Sequence, residues 1–303
     1  MPWFDRFDTL AAARFPELEI LREEPMEKHT TFRVGGPVRR FVRPGDLRTC
    51  AALLALAEEE GWPLLTLGSG SNLLAADEGL DMLAVHTAKL DGLERTGERT
   101  IRAGAGVSLA RLSAFAQREG LAGLEFAHGI PGSLGGGVYM NAGAYGGEMK
   151  QVLSFVTAWL PGAGIRQLSL EELDLGYRHS VFSGTRGAVL EAELLLEPGS
   201  PEAIQVRMAD FDRRRREKQP LEYPSAGSVF KRPEGHFAGG LIEQCGLKGF
   251  RIGGAQVSEK HAGFIVNTGG AACADVLALI AHIRKTVYDQ TGVNLEPEVK
   301  TVP

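Results

Sequence analysis

The chain has 303 residues, 44% apolar and 23% charged, with a formal net charge of −5. That length buries a sizeable core and divides into two or three domains, and the composition excludes a disordered or fibrous chain. The mild acidity argues against a nucleic-acid binder, which more often carries a basic face. Cys50, Cys245 and Cys273 are far apart and form no CxxC, which predicts reduced thiols without a disulfide frame or zinc site. The start, MPWFDRFDTLAAARF, lacks the long apolar core of a signal peptide. No apolar run approaches the ~20 residues of a membrane helix, so the expected protein is soluble and cytoplasmic.

Taken in chain order, LRTCAALLALAEEE after Asp46 predicts a capped amphipathic helix closed by Gly61. The strand PLLTL runs into the loop GSGSNLL; LDMLAVHT and TIRAGAGV read as further strands, and SLARLSAFAQREG as a helix ending at Gly120. Residues 129–147 hold eight glycines, and the strands VLSFVTAWL and GAVLEAELLL follow. Ser200 with Pro201 predicts a helix start, and that helix runs to RRRREKQP. Beyond Pro220 come a loop, a helix near 238–245, the strands RIGGAQVS and GFIVN, and a long helix with Val276, Ile280, Ile283 and Val287 on one face. NLEPEVKTV is the final strand. The class is α+β, with the clearest break near residue 200.

Two glycine-rich loops, 68–74 and 128–149, each follow a strand. Missing side chains allow close approach to an anion such as a pyrophosphate, or serve tight turns in a β-rich region; two such loops favour the nucleotide. Neither loop ends in GK[ST], and Gly68-Ser69-Gly70 and Gly104-Ala105-Gly106 lack the third glycine of GxGxxG, so neither a P-loop nor a Rossmann fold is expected. A bulky pyrophosphate cofactor on a non-Rossmann fold points to FAD. GYRHSVF offers Arg178, and NLEPEVK offers Glu296 and Glu298, which share a face of an extended strand. The histidines show no HExxH or other metal spacing, so no metal is expected. YPSAGSVFKRP seats Ser228 among small residues with no histidine beside it, and it is not a GxSxG elbow.

Together HTTFRVGG, GSGSNLL, GIPGSLGGGVYMNAGAYGGEM, GYRHSVF, KQPLEYPSAGSVFKRP, LIEQCGLKGFRIGGAQVSEKHAGFIVN and LEPEVK resemble, in order over residues 28–301, the UDP-N-acetylenolpyruvoylglucosamine reductases. These are flavoenzymes that make UDP-N-acetylmuramate for bacterial cell walls. The resemblance implies a two-part FAD-binding domain of the vanillyl-alcohol-oxidase (PCMH) type plus a smaller α+β substrate-binding domain. Residues 1–88 would form the first FAD subdomain (1–25 as an N-terminal extension), 89–200 and 292–303 the second, and 201–291 the substrate domain. The last strand would return to the second FAD subdomain.

It implies non-covalent FAD, NADPH as hydride donor, and UDP-N-acetylglucosamine enolpyruvate as substrate; charge and hydropathy predict no nucleic-acid partner and no membrane insertion, and a monomer is expected. The family's Arg, Ser and Glu motifs fall on Arg178, Ser228 and Glu298, in preference to Glu296. FAD contacts fall on Gly68, Ser69, Gly70, Ser71, Asn72 and Leu73 and on Gly129, Ile130, Pro131, Gly132 and Ser133, with Asn141, Gly143, Ala144 and Tyr145 nearby. Lys218 is expected near the substrate diphosphate, with Tyr223, Arg232 and His261 as further substrate contacts. Only 49 residues separate Arg178 from Ser228, so the chain resembles the shorter second type, without the insertion whose tyrosine covers the substrate. Arg232 stands where some members have asparagine.

The implied reaction explains the lone serine. Hydride added at C3 of the enolpyruvyl group leaves a strongly basic anion at C2, and a hydroxyl can protonate it without a histidine. Two rivals remain. One is a sugar or alcohol oxidase of the same flavin fold with a histidine-linked flavin, for which His29, His86 and His128 are candidates. The other is a catalytically dead flavin- or nucleotide-binding module.

Overall fold

The computed structural model describes residues 1–303. The chain forms two compact units: Met1–Glu23, Arg39–Ser69 and Asp81–Arg213 make the first, and Glu24–Val38, Gly70–Leu80 and Arg214–Pro303 the second. No helix is long and apolar enough to cross a membrane.

The first unit opens on the helix Trp3–Arg14, which buries Phe7 and Ala11; Phe7 meets Trp62 edge-on at 5.5 Å. Asp8 of this helix takes two hydrogen bonds from the buried Arg40, at 2.7 and 2.9 Å. Burial raises the Asp8 carboxyl, but Arg40 and Arg22 outweigh it and hold the group below its ordinary range. The stretch expected to be an extension is therefore anchored to the core. The helix Leu47–Glu59 starts where the Asp46 carboxylate accepts the Thr49 N–H at 3.0 Å. It buries Cys50, Leu53, Leu54, Leu56 and Ala57.

A four-stranded sheet runs in the order Glu19–Pro25, Pro37–Arg43, Leu80–His86, Leu64–Leu67. A five-stranded antiparallel sheet runs Gly164–Ser169, Leu153–Leu160, Ala188–Leu195, Thr100–Gly104, Leu93–Arg95. The helix Leu109–Arg118, capped by Ser108, packs into the same apolar core.

The second unit is a four-stranded sheet, in the order Ser225–Ser228, Phe264–Asn267, Ala255–Val257, Arg251–Ile252. Ile242, Val257, Ile265, Val276, Ile283 and Val287 share its core with the helices Ala238–Gln244 and Cys273–Thr291. RIGGAQVS, expected as one strand, is a hairpin: Gly253 turns at φ +54°, and Arg251–Ile252 pairs back on Ala255–Gln256.

The end of the chain also departs from expectation. The final strand is only Lys300–Val302, and Pro297 before it makes an isolated bridge to Phe230. It pairs in parallel with Leu73–Ala75, directly after the first glycine loop, and so belongs with that loop and not with residues 89–200. Asn72 makes the junction: its Nδ2 donates to the Glu298 carbonyl at 3.1 Å, and its own carbonyl accepts the Lys300 N–H at 2.9 Å.

Candidate active site

The two glycine loops meet in the first unit. A Cβ on Gly68 would lie 2.3 Å from Ser133 Oγ, so the glycine lets the serine hydroxyl rest against the first loop. Ser133 is 2% exposed, and its Oγ has no hydrogen-bond partner. Such an orphan is costly unless a ligand satisfies it. In the second unit Gly70 has φ +61°, and a Cβ there would sit 1.9 Å from the His29 carbonyl oxygen. The unsatisfied hydroxyl at Ser133, where the two loops meet in the first unit, fits a pyrophosphate-bearing cofactor of FAD type.

The remaining expected FAD residues divide. Gly129, Ile130, Pro131 and Gly132 lead into Ser133 and the short helix Leu134–Tyr139, and the Gly132 carbonyl accepts the Leu109 N–H. Gly143 and Ala144 form a small hairpin with Gly147–Glu148. Asn141 is buried, and its side chain is hydrogen-bonded within the protein. Tyr145 stacks on Phe211 at 4.5 Å.

Arg178, half-buried, also lies in the first unit. Gly176 and His179 exchange backbone hydrogen bonds at 3.1 and 3.3 Å, closing a tight turn with Arg178 at its third position. The arginine adopts φ +55°, a conformation normally given to glycine in such turns. A strained non-glycine residue of this kind points to function. Sequence inspection had no signal for it, because RH after GY does not announce a left-handed residue.

The segments that carry Ser228 and Glu298 run side by side in the second unit. Ser228 ends its strand after Gly227 at φ +76°, and its Oγ donates a long 3.3 Å hydrogen bond to the Phe230 carbonyl. The segment Glu296–Glu298 runs alongside: the Glu298 N–H donates to the Val229 carbonyl at 2.7 Å, and the Lys231 N–H to the Glu296 carbonyl at 2.9 Å. The Glu296 carboxylate is paired with Lys231 Nζ at 2.5 Å.

His261 lies against the serine. A Cβ on Gly263 would fall 3.0 Å from the His261 ring and 3.4 Å from Ser228 Oγ. His261 Nδ1 accepts the Gly263 N–H at 3.1 Å, which leaves Nε2 as the donor of a neutral ring. Burial first, then the charges of Lys248 and Lys218, lower its pKa from the usual 6.5 against the opposing pull of Glu243. Lys218 closes the helix Pro201–Lys218. Lys248, paired with Glu243 at 2.6 Å, was not singled out in the sequence. Arg232 lays its guanidinium 3.9 Å over the exposed Phe237 ring. Tyr223 lines a cavity of about 450 Å³ with Pro220, Glu222, Gln256, Ser258, Glu259 and Lys260; its two carboxylates make it a poor seat for a diphosphate.

Residues 219–302 match the family described as UDP-N-acetylenolpyruvoylglucosamine reductase, C-terminal domain, and residues 38–169 match an FAD binding domain. A reductase of that name from Agathobacter rectalis is 48% identical, over 95% of this chain and 96% of its own. The Limosilactobacillus reuteri protein is 46% identical over 95% and 96%. The chain belongs to the UDP-N-acetylenolpyruvoylglucosamine reductase family. The crystal structure of the Thermus caldophilus reductase, 37% identical, superposes with a TM-score of 0.80 over 95% of this chain and 99% of that one. The protein is thus an FAD-containing oxidoreductase of α+β fold with a vanillyl-alcohol-oxidase-type FAD-binding domain, as the motifs implied.

Proposed function

We propose that this chain reduces UDP-N-acetylglucosamine enolpyruvate to UDP-N-acetylmuramate with NADPH as hydride donor, acting as a cytoplasmic monomer that carries Arg178, Ser228 and Glu298 by itself. Residues 1–88 with 89–200 and 292–303 serve FAD in this reading, and 201–291 serve the substrate. The single observation that carries it is the backbone pairing of the stretch after Ser228 (Val229–Lys231) with Glu296–Glu298, with His261 near the serine.

Gly68 and Ser133 would hold the cofactor's pyrophosphate region. FAD, when bound, supplies a two-electron relay that takes hydride from NADPH and returns it to the substrate. With hydride at C3, the electron pair of the double bond collects at C2 and spreads into the neighbouring carboxylate. Arg178 forks onto that carboxylate with two parallel N–H groups. The Ser228 O–H turns from the Phe230 carbonyl, to which its bond is long, and delivers a proton to C2; water restores the hydroxyl. Glu298 hydrogen-bonds the growing charge. Lys218, Arg232 and the Nε2–H of His261 meet the diphosphate, and Tyr223 borders the same unit's cavity.

The oxidase alternative needs a free histidine at the flavin. His29 is bonded to Glu24 at 3.0 Å, while the Nδ1 atoms of His86 and His128 are buried and make no hydrogen bond, so covalent attachment of the flavin is tested directly by acid precipitation. Anaerobic stopped-flow decides. NADPH should bleach the bound flavin, and UDP-N-acetylglucosamine enolpyruvate should restore its colour in one turnover; a flavin that reoxidises with oxygen but not with this substrate refutes the proposal.

A further inference from the structure

The turn that carries Arg178 is strained, so something outside it must hold it. Its closing carbonyl, Gly176 O, accepts a second hydrogen bond from Asn141 Nδ2 at 3.1 Å. The same Nδ2 donates to Glu148 Oε2 at 3.1 Å, and Asn141 Oδ1 accepts the Lys150 N–H at 2.9 Å. Lys150 Nζ then reaches the preceding carbonyl, Leu175 O, at 3.1 Å. On the far side Ser180 Oγ donates to Tyr139 O at 2.7 Å. Both ends of the turn are thereby tied to the stretch 139–150, the distal part of the second glycine loop. Asn141 is 2% exposed and itself adopts φ +41°, so its amide is fixed and its hydrogen-bonding capacity is spent inside the protein.

We propose that Asn141, with Lys150 and Glu148, is a positioning residue for Arg178: it holds the left-handed turn so that the guanidinium fork faces the substrate carboxylate. Asn141 then acts on the substrate half of the reaction through Arg178, although it lies in a loop whose glycines serve the cofactor. The bracket also explains why the loop is so long. Its first part meets Gly68, and its last part carries the arginine turn. A planar fork has a narrow range of useful orientations, and a shift of about 1 Å in a positioning group costs on the order of 100-fold.

The proposal rests on Arg178 being the carboxylate clamp, and the test separates the two. Asn141→Ala, Lys150→Met, Arg178→Ala and the double variant Asn141→Ala/Arg178→Ala are compared as holoenzymes for bound FAD per chain, for bleaching by NADPH and for reoxidation by the enolpyruvyl substrate. Asn141→Ala should keep its FAD and bleach at the wild-type rate, yet reoxidise about 10- to 100-fold more slowly. Added to Arg178→Ala it should cost nothing more, because residues acting as a unit are non-additive. Lys150→Met, at an exposed position, should show the same pattern more weakly and decides the matter should Asn141→Ala not fold. Loss of FAD, slower bleaching, or an undiminished effect in the Arg178→Ala background overturns the bracket. A slow Arg178→Ala beside a normal Asn141→Ala overturns it alone; a normal Arg178→Ala removes the clamp and the bracket together.

Discussion

The cofactor region and the substrate region are built by opposite means. Around Gly68 and Ser133 the first works through a side chain that is missing: a Cβ would meet Ser133 Oγ at 2.3 Å. Around Ser228 the second works through side chains that are present and individually tuned. Glu296 is neutralised by Lys231, and His261 is kept neutral by burial and two lysines. A backbone cradle binds the same way in the ground and transition states. Substrate-side groups can act only when charge develops, so substitutions there should reach kcat, whereas substitutions in the cradle should change occupancy alone.

The largest effect tests the substrate side. Ser228→Ala should leave bleaching by NADPH near the wild-type rate and slow reoxidation by the enolpyruvyl substrate about 10²- to 10⁴-fold. Ser228→Cys should recover part of the loss, since a thiol also donates a proton. Equal losses in both half-reactions would place the serine with the cradle and collapse the contrast.

Lys218→Ala sharpens it next. A charge-assisted contact to a diphosphate should raise KM for the UDP-sugar about 10- to 100-fold and change kcat little. An unchanged KM returns Lys218 to a solvated helix end.

The cradle side should respond more gently. Ser133→Ala removes a hydroxyl that has no partner in the protein, so the apoprotein should keep its melting temperature while FAD binds about 2- to 10-fold more weakly. Flavin-fluorescence titration reads the second quantity, and a destabilised apoprotein with unchanged FAD affinity contradicts the assignment.

The smallest effect is one of pH. The native state keeps His261 below its ordinary pKa of 6.5, so the unfolded chain takes up the proton first. Stability then falls as pH drops below about 6.5, where the unfolded state binds more protons. His261→Gln should flatten that limb in melts at successive pH values, and a limb of wild-type steepness in the variant would assign it to another group.

The sequence alone determined what depends on local chemistry or on ordered motifs. The Asp46-capped helix, the strand leading into the first glycine loop and the exclusion of P-loop and Rossmann fingerprints needed only neighbouring residues; the second loop follows the 3-10 turn Glu125–Ala127 where a strand was expected. The order of the motifs carried the family and its FAD. Tertiary structure decided everything that joins residues distant in the chain. The last strand lies beside Leu73–Ala75 because Asn72 clasps Glu298 and Lys300 from more than two hundred positions away. Lys231 pairs with Glu296 across sixty-five positions of the chain. Lys248 reaches His261 only in the folded unit, and Asn141, legible as part of a glycine loop, spends its amide on the turn of Arg178. Such pairings depend on where a side chain's few donors and acceptors end after the chain has closed on itself, and no periodicity or local spacing encodes that.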